Sequence, residues 1–197
     1  MKVLQILPQL NIGGVERGTL DLSKALIHKG HQSFVISGGG VLVDELTQCG
    51  AKHYEIPVHI KSLRTLSLAK RLSETISSID PDIVHVRSRM PAWVNYRAFK
   101  MLQKKPLLVS TFHGLYSFPI YSKVMSFVDH SIAISKTVER YILENYKLDK
   151  GDITVIPRGC DPLEFNNEVI NPVDKANIIE EFPQIVGKKV LTIPGRI

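Results

Sequence analysis

A doubly wound, parallel α/β domain is the fold this sequence predicts, and three observations predict it. Short apolar, β-rich runs alternate with longer segments of helical period, which implies parallel strands joined by right-handed crossovers. The first run, Met1-Lys2-Val3-Leu4-Gln5-Ile6-Leu7, ends at Pro8 and is followed by Gly13-Gly14 and then a helix-like segment from Val15 to Lys29. The runs end repeatedly in glycine, histidine or arginine, the residue types found at the carboxyl edge of such sheets, where ligands bind.

The elements follow in order along the chain. Val15, Leu20, Leu22, Leu26 and Ile27 fall near helical spacing, and Gly30 stops the helix. Gln32–Ser37 reads as the second strand and leads into Gly38-Gly39-Gly40. Leu42–Cys49 suits a short helix before Gly50, and His53–Ile56 a third strand before Pro57. Ser62 is placed to cap a helix from Leu63 to Ile79, whose apolar face is Leu63, Leu66, Leu68, Leu72, Ile76 and Ile79.

Asp80-Pro81 ends that helix, Ile83–Val86 is a fourth strand, and Pro91 opens a helix running to about Met101. Pro106–Phe112 is the fifth strand, ending at His113-Gly114. An aromatic segment from Leu115 to Val128 contains a helix from Ile120. His130–Ile134 is the sixth strand, Ser135 caps a helix to Tyr146, and Ile153–Ile156 is the seventh, ending at Pro157-Arg158-Gly159.

After Asp161 the composition changes. The organisation expected is a domain over 1–165, a linker over 166–187 with a short helical pattern at Val173–Phe182, and a strand from Lys188 to Ile193 within 188–197 that opens a second α/β unit. On this reading the 197 residues are a truncated polypeptide.

Composition narrows the classes of function. A chain 44% hydrophobic and 22% charged is ordinary for a globular protein. It carries no N-terminal signal pattern and no apolar run near the roughly 20 residues that span a bilayer. Cys49 and Cys160 lie far apart, without metal spacing or a disulfide framework, so a reducing, cytoplasmic setting is expected. The net charge of +6 concentrates in Lys61, Arg64, Lys70 and Arg71, then in Arg87, Arg89, Arg97, Lys100, Lys104 and Lys105. That balance suits anionic substrates or an anionic membrane face; with no zinc-finger spacing and no aromatic-basic RNA-binding signature, no nucleic acid partner is expected.

Several chemistries fail on their motifs. A nicotinamide-binding fingerprint needs G-x-G-x-x-G and an acidic residue ending the second strand; here the turn is Gly13-Gly14-Val15-Glu16-Arg17-Gly18 and the strand ends in Ser37. No P-loop and no G-x-S-x-G elbow follows any strand. The residues at the sheet's carboxyl edge suit phosphate or sugar through backbone N–H groups, guanidinium forks and hydroxyls. A glycine pair that only turns the chain competes evenly with that reading at Gly13-Gly14 taken alone.

Five motifs then occur in order: the glycine-glycine-x-glutamate turn, Asp82-Ile83-Val84-His85, Ser110-Thr111-Phe112-His113-Gly114, Ala133-Ile134-Ser135-Lys136-Thr137-Val138 and Val155-Ile156-Pro157-Arg158-Gly159-Cys160-Asp161. Together they resemble the N-terminal domain of a glycosyltransferase family 4 enzyme of the two-domain GT-B fold, a sheet of about seven strands with helices on both faces. The terminal Gly195-Arg196 is similar to the glycine-arginine that opens the family's C-terminal domain. Arg87-Ser88-Arg89-Met90-Pro91-Ala92-Trp93 further resembles members that build lipopolysaccharide core or other bacterial surface glycans.

The resemblance implies a retaining transfer from a nucleotide-sugar donor to a glycan or lipid-linked acceptor, with no metal and no other cofactor. It places Gly13, Gly14 and Arg196 at the donor diphosphate and His113 beside the transferred sugar, as a hydrogen-bonding group rather than a base. Because the donor-selecting domain is mostly missing, the chain alone is expected to be inactive. A GT-B-like epimerase or phosphorylase, or a non-catalytic ligand-binding domain, is the alternative. Glu16, Arg87, Arg89, Ser135 and Arg158 are the acceptor-side or cleft candidates.

Each candidate carries a plainer reading beside it. Glu16 favours its helix dipole, Arg87 and Arg89 form structural salt bridges, and Ser135 is an N-cap. Arg158 stands where the family usually has asparagine, as an added anion contact or a surface replacement. His85 is either a packed core histidine or a site residue. Tyr116, Phe118, Tyr121 and Lys123 form an aromatic and basic surface suited to a lipid-linked acceptor at the cytoplasmic face of an inner membrane.

Overall fold

The computed structural model describes residues 1–60, 63–117, 119–159, 162 and 171–191. It divides into two compact units, Met1–Arg158 and Gly159–Ile197. The break falls where the chain leaves the last strand, ahead of the composition change that suggested a boundary at 165.

The first unit is built on seven strands: β1 Lys2–Ile6, β2 Gln32–Ser37, β3 Lys52–Glu55, β4 Ile83–Val86, β5 Leu107–Phe112, β6 His130–Ala133 and β7 Ile153–Val155. All pair in parallel in the order β3-β2-β1-β4-β5-β6-β7. The helices are α1 Gly14–His28, α2 Val43–Gln48, α3 Ala69–Ile79, α4 Arg89–Phe99, α5 Pro119–Ser122 and α6 Lys136–Asn145. This is the doubly wound, Rossmann-like sheet that the alternating pattern predicts.

Side-chain alternation sorts the core into two layers. Val35 of β2 packs with Leu7, Leu10, Leu20 and Leu46 beneath α1 and α2. Its neighbours Phe34 and Ile36 point the other way and join Leu4, Ile6, Val84, Val86 and Phe112, with Leu72 and Ile76 of α3 and Ala98 of α4. One strand residue breaks the apolar run: Gln5 is fully buried on the α1 side, where its Nε2 donates to the Thr19 carbonyl (3.1 Å) and to Ser23 Oγ (3.0 Å).

Three expectations shift. The expected helix from Leu63 begins instead as a 3₁₀ segment, Leu63–Leu68, before α3. Thr65 Oγ1 donates to the Ile60 carbonyl (2.7 Å), a local side-chain bond of the kind that competes with α-helical pairing; the proposed cap, Ser62, lies outside the described residues. The helix expected to open at Pro91 starts two residues earlier, at Arg89, because a first-turn N–H has no intrahelical partner and proline loses nothing there. The helix expected from Ile120 is α5 followed by a 3₁₀ turn, Lys123–Ser126.

The loop after β1 is propped by the loop after β2. Leu10 N–H donates to the Gly39 carbonyl (2.7 Å) and Leu42 N–H to the Leu10 carbonyl (2.8 Å). Gly40 adopts φ +139° and lies so close to Leu10 that a β-carbon there would meet the Leu10 carbonyl carbon at 2.4 Å. The triple glycine, read from sequence as a possible phosphate contact, thus serves here to let one loop support the other.

In the second unit, α7 spans Pro172–Glu181 and is capped by Asn171, whose Oδ1 accepts from the Val173 N–H (2.9 Å). A 3₁₀ turn follows at Pro183–Ile185. Residues 188–191 belong to no strand, contrary to the strand expected from Lys188: a β-run holds its shape only beside a partner strand, and none pairs with it among the described residues. Residues 192–197, Arg196 included, lie outside the described residues.

Candidate functional site

The order of strands reverses between β1 and β4, which are adjacent although β2 and β3 separate them in sequence. In open parallel sheets the crevice outside the carboxyl ends at that switch point receives ligands. The loop from β1 delivers Gly13 and Gly14 there, and the end of β4 delivers Arg87, whose N–H donates to the Ile6 carbonyl (3.0 Å).

Gly13 is the N-cap residue of α1, with extended backbone and no side chain to satisfy the first N–H groups. No side chain caps those N–H groups at the positive end of a 15-residue helix. Two glycines one turn apart, Gly14 and Gly18, leave a slot along the helix. A β-carbon on Gly14 would lie 3.0 Å from Arg158 Nη1; one on Gly18 would lie 3.2 Å from Arg87 Nη2 and 3.6 Å from Arg158 Nη1. Two guanidinium groups thus converge where side chains are absent.

Arg87 is 7% exposed. Its Nη1 donates to Gln5 Oε1 (2.8 Å), while its Nε has no hydrogen-bond partner among the described residues. Gln5 is a site-building residue that motif reasoning missed; the one signal for it was a polar side chain inside an otherwise apolar strand. Burial, and then the charge of Arg158, lower the Arg87 pKa to about 10, with Asp21 and Glu16 opposing. Arg87 stays charged at neutral pH, and the salt bridge offered as its plainer reading is replaced by a hydrogen bond to an amide.

His113 leaves the end of β5 and meets Arg158 from beyond β7. Arg158 Nη2 donates to His113 Nδ1 (2.8 Å), and Arg158 Nη1 donates to the Gly14 carbonyl. Burial first, then the charges of Arg87 and Arg158, push the His113 pKa down to about 3. The ring is neutral throughout the physiological range and serves as a hydrogen-bonding group; it cannot supply a proton as an acid there. Its Nε2 is buried without a partner among the described residues.

His85 sits beneath this cluster, buried and hydrogen-bonded through Nε2 to Thr111 Oγ1 (2.7 Å), with its pKa well below the ordinary value, chiefly from burial. Of its two readings, the packed core histidine is the one this geometry supports. These rings shape stability as well. The unfolded His113 ring titrates near 6.5 and the folded one near 3, so between those values only the unfolded chain binds the proton. Stability is full above about pH 6.5 and falls as the pH drops through that window. From His113 alone the loss at pH 5 is on the order of 2 kcal/mol, and His85 acts in the same direction. Urea midpoints should therefore fall between pH 7.5 and 5; an unchanged midpoint would show that neither ring is held neutral.

The remaining candidates separate. Arg89 turns away from Arg87: its guanidinium stacks on Tyr116 (4.9 Å) and Tyr121 (5.4 Å), and Nη1 reaches Ser122 Oγ (3.5 Å). Ser135 is the N-cap of α6, its Oγ accepting from the Val138 N–H (3.2 Å), as its plainer reading held. Glu16 lies in the first turn of α1, where the helix dipole favours it, and its field reaches Arg87. In the same 115–123 segment as Tyr116 and Tyr121, Leu115 and Ile120 are 59% and 89% exposed and Lys123 is exposed; Phe118 lies outside the described residues. Among the described residues, no group of three or more His, Cys, Asp or Glu side chains is arranged to hold a metal ion, and no helix is long and apolar enough to cross a membrane.

Two glycines and two guanidinium groups meet at the switch point of a doubly wound, parallel α/β sheet. The chain belongs to Glycosyltransferase Family 4, whose profile matches residues 12–163. A glycosyltransferase from Rickettsia africae is 36% identical, with a TM-score of 0.75 over 92% of this chain and 49% of that one. The Anabaena protein HepE, solved with UDP and glucose, is 16% identical and superposes with a TM-score of 0.70 over 92% of this chain and 50% of that one. One of the subunits of human phosphatidylinositol N-acetylglucosaminyltransferase is 25% identical over 95% of this chain and 42% of its own length. The chain thus spans about half the length of these relatives. Its sheet is the Rossmann-like half of the GT-B architecture.

Proposed function

We propose that this domain forms the acceptor-side wall of a retaining glycosyltransferase that moves a sugar from a nucleotide-sugar donor to a glycan or lipid-linked acceptor. The observation that carries this reading is the meeting of Gly14, Arg158 and a neutral His113 at the switch point. When a nucleotide sugar breaks at its anomeric carbon, negative charge develops on the departing diphosphate. The α1 N-terminus and the Arg158 guanidinium supply fixed positive charge for it, which is stabilisation aimed at the transition state. A neutral histidine suits the adjacent sugar, since it donates a hydrogen bond without adding a positive charge beside an oxocarbenium-like centre.

Arg196 is assigned to the donor diphosphate on the family resemblance. We divide the chain as acceptor-side domain, linker over 166–187 and the start of a donor-side unit over 188–197. The acceptor approaches from the side of Arg89, Leu115, Ile120 and Lys123, whose apolar and basic exposure suits a lipid-linked substrate at the cytoplasmic face of an anionic membrane. Arg87 lies deeper and contributes charge rather than direct acceptor contact. No metal is assigned a role.

The test uses the longest polypeptide that carries this sequence. Nucleotide sugars are screened for acceptor-dependent release of nucleoside diphosphate, and the anomeric configuration of the product is read by NMR. Acceptor-dependent release with retained configuration is expected, and residues 1–197 alone should give negligible turnover. Release that needs no acceptor points to the epimerase alternative, formation of a sugar 1-phosphate from a glycan and inorganic phosphate points to the phosphorylase one, and inverted product overturns the retaining assignment.

A further inference from the structure

Arg158 occupies a position that the family pattern gives to asparagine, and its two contacts have a chemical consequence. A guanidinium has five N–H donors, no acceptor, and no accessible deprotonated form. The hydrogen in the 2.8 Å contact between Arg158 Nη2 and His113 Nδ1 must therefore belong to the arginine, and Nδ1 must be the ring's lone-pair nitrogen. The ring proton is then on Nε2, the atom left buried without a partner. The same guanidinium donates its other nitrogen to the Gly14 carbonyl. A planar fork joins two acceptors from different elements, which a single-point ammonium cannot reproduce.

We propose that Arg158 is the positioning residue of His113: its forked hydrogen bonds to Nδ1 and to the Gly14 carbonyl fix the imidazole as the Nε2–H tautomer and tie it to the glycine turn. An imidazole without such a partner exchanges between two tautomers, only one of which offers a donor at Nε2. A buried donor held without a partner is unfavourable in the free domain, so it is available to strengthen whatever ligand oxygen it meets. Arg158 is also the last residue of the first unit, so the contact that orients the ring lies where the chain leaves this domain.

The proposal rests on the transferase reading only for its kinetic consequence; the tautomer is read without turnover. The 197-residue chain is prepared with ¹⁵N-labelled histidine, and the ring of His113 is assigned by loss of its signals in His113→Gln. The expected spectrum shows an unprotonated Nδ1 and a protonated Nε2. Arg158→Met, which keeps an apolar stem and removes every donor, should move both nitrogens toward tautomer-averaged shifts. In the longest polypeptide that carries this sequence it should lower kcat about tenfold with a smaller change in KM for the donor. A protonated Nδ1 in the wild type, or ring shifts unchanged in a folded Arg158→Met, overturns the proposal. Should that variant not fold, the wild-type spectrum decides alone. Unchanged ring shifts refute the positioning role whether or not the protein is a transferase; a fixed Nε2–H tautomer in a protein without turnover would instead count against the functional reading.

Discussion

If the proposed transferase reading holds, His113→Ala in the longest polypeptide that carries this sequence is expected to lower kcat by about 100- to 1,000-fold while leaving the thermal unfolding of the domain nearly in place. The magnitude is that of removing one preorganised hydrogen-bond donor from a site where charge develops. The small effect on stability follows from the ring's own bonding. Its one hydrogen bond is to a solvent-reaching arginine, and its Nε2 is unsatisfied, so truncation removes little that holds the fold together. If kcat falls less than about threefold, His113 is a strand-end residue and not part of the reacting centre. A change in kcat with pH through 6 to 8 that vanishes in His113→Ala would contradict the neutral ring.

The neighbouring residue gives the opposite pattern. Phe112→Ala should destabilise the domain by about 3–5 kcal/mol, the range for an aromatic removed from a packed core. Phe112 is 0% exposed at the end of β5, with its ring 5.5 Å from Tyr116 and 5.4 Å from Tyr146. Those rings pack against α6 and the segment that carries Arg89, so the cavity would loosen the whole edge that presents His113. A loss of that size is a large share of a domain's 5–15 kcal/mol. Urea denaturation of the 197-residue chain measures it directly; a loss below about 1 kcal/mol would mean that the aromatic cluster rearranges to fill the space.

The two adjacent positions show what was legible in the sequence. The alternation of the strands, the glycine turn and the position of His113 before Gly114 can all be read from residue type and spacing, because local periodicity and turn chemistry fix them. Phe112 and His113 point to opposite faces for the same reason. The partners of the site residues are a different matter. Arg87 and Arg89 are two apart on the chain, yet one runs under α1 to Gln5 and the other into a pair of tyrosines. Only the packing of α1 and of the 115–122 segment separates them.

Arg158 is the clearest case. Its motif marked it as a departure from the family, but nothing local to residues 155–161 shows that its side chain spans to a glycine 144 residues earlier. Gly18 was similarly legible only as a glycine out of place for a dinucleotide fingerprint, whereas in three dimensions it is the gap that admits both guanidinium groups. The failures at the level of elements share a cause too. The 3₁₀ start before α3 and the absent strand at 188–191 depend on hydrogen-bond partners that a periodic pattern does not contain.

That the donor meets this domain at the Gly13-Gly14 turn is tested most directly by calorimetric titration. The longest polypeptide that carries this sequence and its Gly14→Val variant are each titrated with the nucleotide sugar that the turnover screen selects. A β-carbon at Gly14 meets Arg158 Nη1 at 3.0 Å, so valine there displaces the guanidinium and fills the approach to the α1 N-terminus. The expected result is donor affinity at least about tenfold weaker, close to 1.4 kcal/mol, in a variant that remains folded. Equal affinity in the two proteins would contradict the assignment and return the glycine pair to a simple turn of the chain.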